Sequence, residues 1–238
     1  MKLSKLTVVI GGACLSLLLV GSAFAANAFT PSADKTQIIS STFDELKGKL
    51  EQYKDKRSLA ADVPLVQGDD FQISKQDFIF YKSNMEMINK LQNNGSKSLN
   101  SASFSDDTLI GEMVKKELTV SYAKKLGLEV TPQEVDAVIQ QERSYLNDFS
   151  ITGENNELVR EIMKYRIGMT GLSDDEFWNS ESTREQYEKA LLMGKLYDKL
   201  VAEGKFEKGD GAAFGNFQKT LLEEAKGSVI VNKEVLDK

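Results

Sequence analysis

The chain contains no histidine, and its one cysteine is Cys14. Without imidazole there is no His-dependent catalytic triad, no imidazole general base and none of the commonest metal ligand. A single thiol cannot form an internal disulfide, and no cysteine cluster exists to hold a metal. Prolines are limited to three, and charged residues recur at helical spacing throughout, which points to a mainly α-helical protein. No block of basic charge is present: 30 Lys and Arg against 36 Asp and Glu leave a formal net charge of −6, without the electrostatic footprint of a nucleic-acid partner.

The N-terminus carries Lys2 and Lys5, an apolar run from Leu6 to Gly21, and Ala23-Phe24-Ala25. This is the layout of an export signal with a small-x-small cleavage site, placing cleavage after Ala25 and the mature protein outside the cytoplasm. The apolar run falls short of the roughly 20 residues a spanning helix usually needs. Retention as a membrane anchor is the alternative, and a lipid on Cys14 a further one, although Gly11-Gly12-Ala13 lacks the usual leucine. Cleavage removes Cys14, Lys2 and Lys5, so the mature chain has no thiol and its formal charge moves from −6 to −8. The remainder is long enough to bury a substantial core in one domain or two associated lobes.

From Ala33 to about Lys56, residues Ile38, Ile39, Phe43, Leu46, Leu50 and Tyr53 keep helical spacing. Residues 26–60 therefore read as an N-terminal helix, either docked on the domain, spacing it from a membrane or self-associating. Leu59 to Ile73 reads as β structure, with a Gly68-Asp69-Asp70 turn, and Ser74 caps the helix that follows. Asn93 to Ser105 reads as a loop containing the sequon Asn94-Gly95-Ser96. Further helices are expected up to Leu126, from Pro132, over Glu157 to Met169, from the Ser173-Asp174-Asp175-Glu176 capping box, and over Thr183 to Glu203. Gly204 to Gly215 is glycine-rich and polar; a last helix carries Phe214, Phe217 and Leu221, and Val229-Ile230-Val231 forms a closing strand.

The sharpest local signal lies between Glu117 and Arg143. Gly127 ends one helix; Thr131, Pro132 and Glu134 start the next as N-cap, first helical residue and reciprocal cap. On the second helix Val135, Val138, Ile139 and Leu146 share a face, extended by Phe149, and Glu142 is its one polar interruption. Acidic pairs such as Asp69-Asp70, Asp106-Asp107, Asp174-Asp175 and Glu223-Glu224 sit mostly at turns and helix starts, where carboxylates meet the helix dipole favourably. They match no calcium loop, and the glycine-rich stretch matches no phosphate-binding loop. No cofactor or metal is expected.

The residues Ala123, Gly127, Leu128, Val130, Thr131, Glu134 and Val135 reproduce an A-x-x-x-G-[LI]-x-V-[ST]-x-x-E-V pattern. This segment resembles the N-terminal chaperone module of the SurA/PrsA class of exported foldases. Val63 to Gly68, Phe71 to Ser74 and Asp77-Phe78 look like that family's opening strand, turn and first helix start, and Ala225 to Asn232 like its closing helix and strand. The Gly171-Leu172-Ser173-x-x-Glu176-Phe177-Trp178 run is similar to relatives as well. The resemblance covers Val63 to Asn232 and implies a SurA/PrsA/trigger-factor-like helical chaperone lobe over residues 61–238, its two ends joined by a small β element. The parvulin isomerase domain that often interrupts such lobes is missing: its slot holds only Gly204 to Gly215, and the histidine pair of parvulin sites has no counterpart.

The resemblance implies an exported, ATP-independent module that binds unfolded polypeptides and lacks isomerase activity. The alternatives are an envelope protein that holds one dedicated partner on the same lobe and, third, a degenerate isomerase. Six methionines and several aromatic residues, among them Tyr187 and Tyr197, lie on the expected helices and could line an apolar cradle. Trp178, in the first turn after a capping box, is expected to be half-buried and to border it, with Phe177 and Met169 beside it.

Overall fold

Capping chemistry sets most of the helix starts. The computed structural model describes residues 33–56, 63–92, 105–148 and 154–236. Among the described residues, the α-helices are α1 (Ala33–Lys56), α2 (Lys75–Gln92), α3 (Asp106–Lys125), α4 (Pro132–Asn147), α5 (Glu154–Thr170), α6 (Asp174–Asn179), α7 (Glu181–Ala202) and α8 (Gly211–Glu224). Ser74 and Asp77 cap α2 reciprocally: the Asp77 N–H donates to Ser74 Oγ at 3.0 Å, and the Ser74 N–H to Asp77 Oδ2 at 3.1 Å. Ser105 Oγ accepts from the Thr108 N–H at the start of α3. Thr131 with Glu134, and Ser173 with Glu176, form complete capping boxes at α4 and α6. Such caps satisfy amides that the helix itself leaves without partners.

The end of α3 follows the glycine signal. Gly127 has φ of 72°, its N–H donates to Lys124 O at 2.9 Å, and the Leu128 N–H donates to Ala123 O at 3.1 Å. These two bonds are the Schellman arrangement, which requires a left-handed residue just past the helix.

The three strands are β1 (Val66–Gln67), β2 (Gln72–Ile73) and β3 (Ile230–Val231), in the order β2-β1-β3 and antiparallel throughout. Val66 pairs with Ile73 on one side and Val231 on the other. The expected joining of the early β region to the closing strand is therefore present. The strands are shorter than the sequence pattern, because Pro64 has no N–H for a ladder and Val63 is exposed. Asn232 ties the next segment down, donating its N–H to Leu65 O and its Nδ2 to Pro64 O, each at 2.8 Å.

The chain divides into two compact units. The first contains described residues 33–48, 83–92, 130–148 and 154–191; the second contains 49–56, 63–82, 105–129 and 192–236. In the first unit, Val135, Val138 and Ile139 of α4 pack with Met163 of α5, Phe177 and Trp178 of α6, and Tyr187, Ala190 and Leu191 of α7. Ile39, Phe43 and Leu46 of α1 are also buried there, and the Phe43 ring stacks on Tyr165 at 5.5 Å, so α1 is docked. In the second unit, Leu65, Val66, Ile73, Leu109, Ile110, Val114, Leu192, Leu196, Leu200 and Leu221 are buried. Gln218 of α8 donates to Thr119 of α3 at 3.1 Å, a polar pin between those two helices.

One helix starts earlier than the glycine content implies. Gly211 and Gly215 lie inside α8, because Asp210 Oδ1 accepts from the Ala213 N–H at 2.9 Å and nucleates its first turn. The connection after α7 is correspondingly shorter than Gly204 to Gly215. The proposed signal at 1–25, the loop with its Asn94 sequon and Phe149 lie outside the described residues. Among the described residues, no helix is long and apolar enough to cross a membrane.

Candidate functional site

The side chains expected to border an open cradle sit mostly inside the first unit. Trp178 is 1% exposed and Phe177 7%; Met169 is partly exposed. The expectation of a half-buried indole does not hold, and the reason is local. The Trp178 Nε1–H donates to Asp174 Oδ1 at 3.1 Å, one turn back, so the ring can be enclosed without stranding its one polar group. Phe177 meets it edge-on at 5.3 Å and Tyr187 lies at 6.2 Å. Buried in this way, the two aromatic rings of α6 offer no surface to a partner of the folded unit.

The polar interruption on α4 also proves to be internal. Glu142 is 1% exposed, and its Oε2 accepts a hydrogen bond from the hydroxyl of the fully buried Tyr187. Arg166 of α5, itself buried, completes the group. Burial lowers its guanidinium pKa to about 10, while Tyr187 and Glu142 act in the opposite direction. Nearby, Arg143 Nη2 donates to Asp174 Oδ2 and Asp175 Oδ1, both at 2.6 Å, and Arg184 pairs with Asp136 at 2.6 Å. The Arg143 pKa is raised, chiefly by its hydrogen bond to Asp175. These contacts assign several of the sequence's acidic positions to holding helices together. Among the described residues, no group of three or more acidic, histidine or cysteine side chains is placed to hold a metal.

A run of touching, partly exposed aromatic rings lies in the second unit, whereas Tyr145, 47% exposed, is in the first. Tyr197 of α7, Phe206 in the connection, and Phe214 and Phe217 of α8 form a run of touching rings, extended by Tyr122 of α3. Tyr197 lies 5.5 Å from both Phe206 and Phe214. Phe214 lies 6.0 Å from Phe206 and stacks on Phe217 at 6.1 Å, and Phe217 meets Tyr122 edge-on at 5.3 Å. All five rings are only partly buried. The Gly209 N–H donates to the Tyr197 hydroxyl, holding the connection and its Phe206 against α7. Gly204 and Gly209, with φ of 71° and 93°, let the chain turn tightly enough to do so.

Tyr122 also belongs to a groove of about 230 Å³. Buried Leu221 and Ser121 form its floor; partly buried Phe71, Leu118 and Val229 form its apolar walls. Asp69, Asp70, Glu224 and Lys125 are exposed around it. Ser121 Oγ donates to Asp70 Oδ1 at 2.7 Å and fixes that carboxylate. Gly68 makes the turn possible, since a Cβ there would lie 2.3 Å from the Phe71 ring.

Sequence reasoning named Tyr197 among the aromatic residues that could line a cradle, singled out Phe214 and Phe217 only as helix residues, and passed over Phe206. The available signal was its setting, a lone aromatic residue between charged and glycine residues in Gly204-Lys205-Phe206-Glu207-Lys208-Gly209. A large apolar ring in such a segment calls for either a packing partner or a ligand.

The chain matches no protein-family model, no curated protein and no solved structure.

Proposed function

We propose that this chain is an exported, ATP-independent chaperone-like module that binds unfolded polypeptides and has no intrinsic peptidyl-prolyl isomerase activity. The observation that carries the reading is the run of five partly exposed rings, continuous through Tyr122 with an apolar groove. Touching aromatic rings left partly open to water, beside a groove, are the kind of contiguous apolar surface that marks interaction sites. Aromatic rings suit an adaptable contact because they present large area with few rotatable bonds. Binding through ring faces and a groove needs no nucleotide, and it selects apolar segments rather than one fold. The absence of histidine and the short connection at residues 203–210 support the lack of isomerase chemistry.

The test is suppression of aggregation of a chemically unfolded client, without nucleotide, by the wild-type chain and by the double substitution Phe206→Ser/Phe214→Ser. Suppression by the wild type, lost in the variant at conditions where its helix content is unchanged, supports the reading. Equal suppression by both would remove the aromatic run from client binding, and no suppression by the wild type would overturn the function. A proline-limited refolding assay should show no acceleration.

A further inference from the structure

We infer that the groove beside Tyr122 selects, within an unfolded client, segments in which a lysine or arginine stands next to an apolar side chain. This rests on the polypeptide-binding reading and adds a sequence preference to it.

The groove has two chemical zones. Its floor and walls are apolar, from Phe71, Leu118, Tyr122, Leu221 and Val229. Of the four charged side chains lining it, Asp69, Asp70 and Glu224 are acidic and Lys125 is basic. The adjacent Lys226 pairs with Glu223, so it does not offset the Glu224 carboxylate. Asp70 is oriented by Ser121. An apolar side chain inserted between Leu118 and Val229 would place its chain neighbours at this acidic edge. A neighbouring lysine or arginine is attracted there and a glutamate repelled, and long basic side chains can lay their methylenes on the apolar wall while the charge stays in water. The aromatic run from Tyr122 to Phe206 continues the contact without adding charge selectivity.

Exposed ion pairs contribute little singly, so the preference is moderate. Two carboxylates acting together amount to about a fivefold difference in affinity, diminishing with added salt.

The experiment is fluorescence anisotropy with three labelled peptides that share one apolar-aromatic centre and carry lysine, serine or glutamate flanks. The full-length protein is compared with its Asp69→Lys/Glu224→Lys variant, both positions being exposed and Asp70 left in place. The expected order for the wild type is lysine, serine, then glutamate flanks. In the variant, where two carboxylates are reversed rather than removed, the glutamate-flanked peptide should gain and the lysine-flanked one lose more than about fivefold each, with the serine-flanked peptide unchanged. Equal binding of all three to the wild type, or a preference that survives the double substitution, would overturn the inference while leaving polypeptide binding intact. Failure of all three peptides to bind would overturn both.

Discussion

Substituting Tyr187→Phe should destabilise the chain far more than removal of a single oxygen from its surface would. The hydroxyl donates to Glu142 Oε2, and Tyr187 and Glu142 are 0% and 1% exposed, so bulk water does not stand ready to replace the bond. The ring that remains fills the same space between α4, α6 and α7, so almost no cavity term enters. A hydrogen bond to a charged group contributes about 1.5–3 kcal/mol, and that is the expected loss. Glu142→Ala is a harsher change, because it strands the buried Tyr187 hydroxyl and removes a carboxylate whose charge favours the protonated form of buried Arg166. A buried polar group left without its partner costs about 1–3 kcal/mol, and more where a charge is involved. Replacing the whole group, with Glu142→Leu, Arg166→Met and Tyr187→Phe together, should recover most of that loss, since desolvated charges are removed along with their partners. Urea denaturation followed by circular dichroism gives the midpoints, with an unchanged m-value required for the comparison. A loss below about 0.5 kcal/mol for Tyr187→Phe would refute the claim that this hydroxyl supports a buried carboxylate.

Gly127→Val should lose about 1–2 kcal/mol through backbone strain alone, because φ is 72° and a Cβ at this position would meet no atom within 4 Å; Thr131→Ala should lose about 0.5–2 kcal/mol through its cap. Unchanged midpoints for both would contradict the helix ends described above. Gly68→Ala should cost about 1–3 kcal/mol, since its Cβ would meet Phe71 at 2.3 Å, and the displaced ring should weaken peptide binding in the groove. Tyr81 ionises at about 12 rather than near 10, through burial and then the Glu112 carboxylate, so its folded-state pKa is raised. Its contribution is fully present below about pH 10 and lost as pH rises towards 12; Tyr81→Phe should flatten the alkaline decline in denaturation midpoint, and an unaltered decline would exclude it as the cause.

Local chemistry was readable from the sequence. Ser74, Ser105, Thr131 and Ser173 each act on a backbone amide within three residues, so a short window contains both donor and acceptor. The Gly127 stop is of the same kind. The pairing of Val66 with Val231 is not local, and it was anticipated only through the order of segments in the family resemblance. The Trp178 environment failed to declare itself because the same capping box is compatible with an exposed or an enclosed ring. What decides it is the apolar face of α4, α5 and α7 closing over α6. The aromatic surface was hidden for the converse reason: its five rings come from α3, α7, a connection and α8. Each looks ordinary within its own segment, and only the fold brings them into a row.

The two units place similar side chains to opposite effect, which makes stability and binding separable by experiment. In the first unit the rings of Phe177, Trp178 and Tyr187 are enclosed, so their truncation removes core and should unfold the unit before it reports on any partner. In the second, Tyr197, Phe206, Phe214 and Phe217 already face water on one side, so less buried area is at stake when one of them is lost. Because Trp178 is the only tryptophan, its emission is a reporter of the first unit alone. A client that binds the aromatic run and the groove should therefore leave that emission unchanged while a label placed at exposed Lys208 responds. Under the same conditions Phe206→Ser/Phe214→Ser should abolish the label response and still leave Trp178 emission at its starting position. A shift in Trp178 emission that saturates with client concentration would mean that binding reaches the first unit, and the assignment of the surface to α7, α8 and their connection would fall.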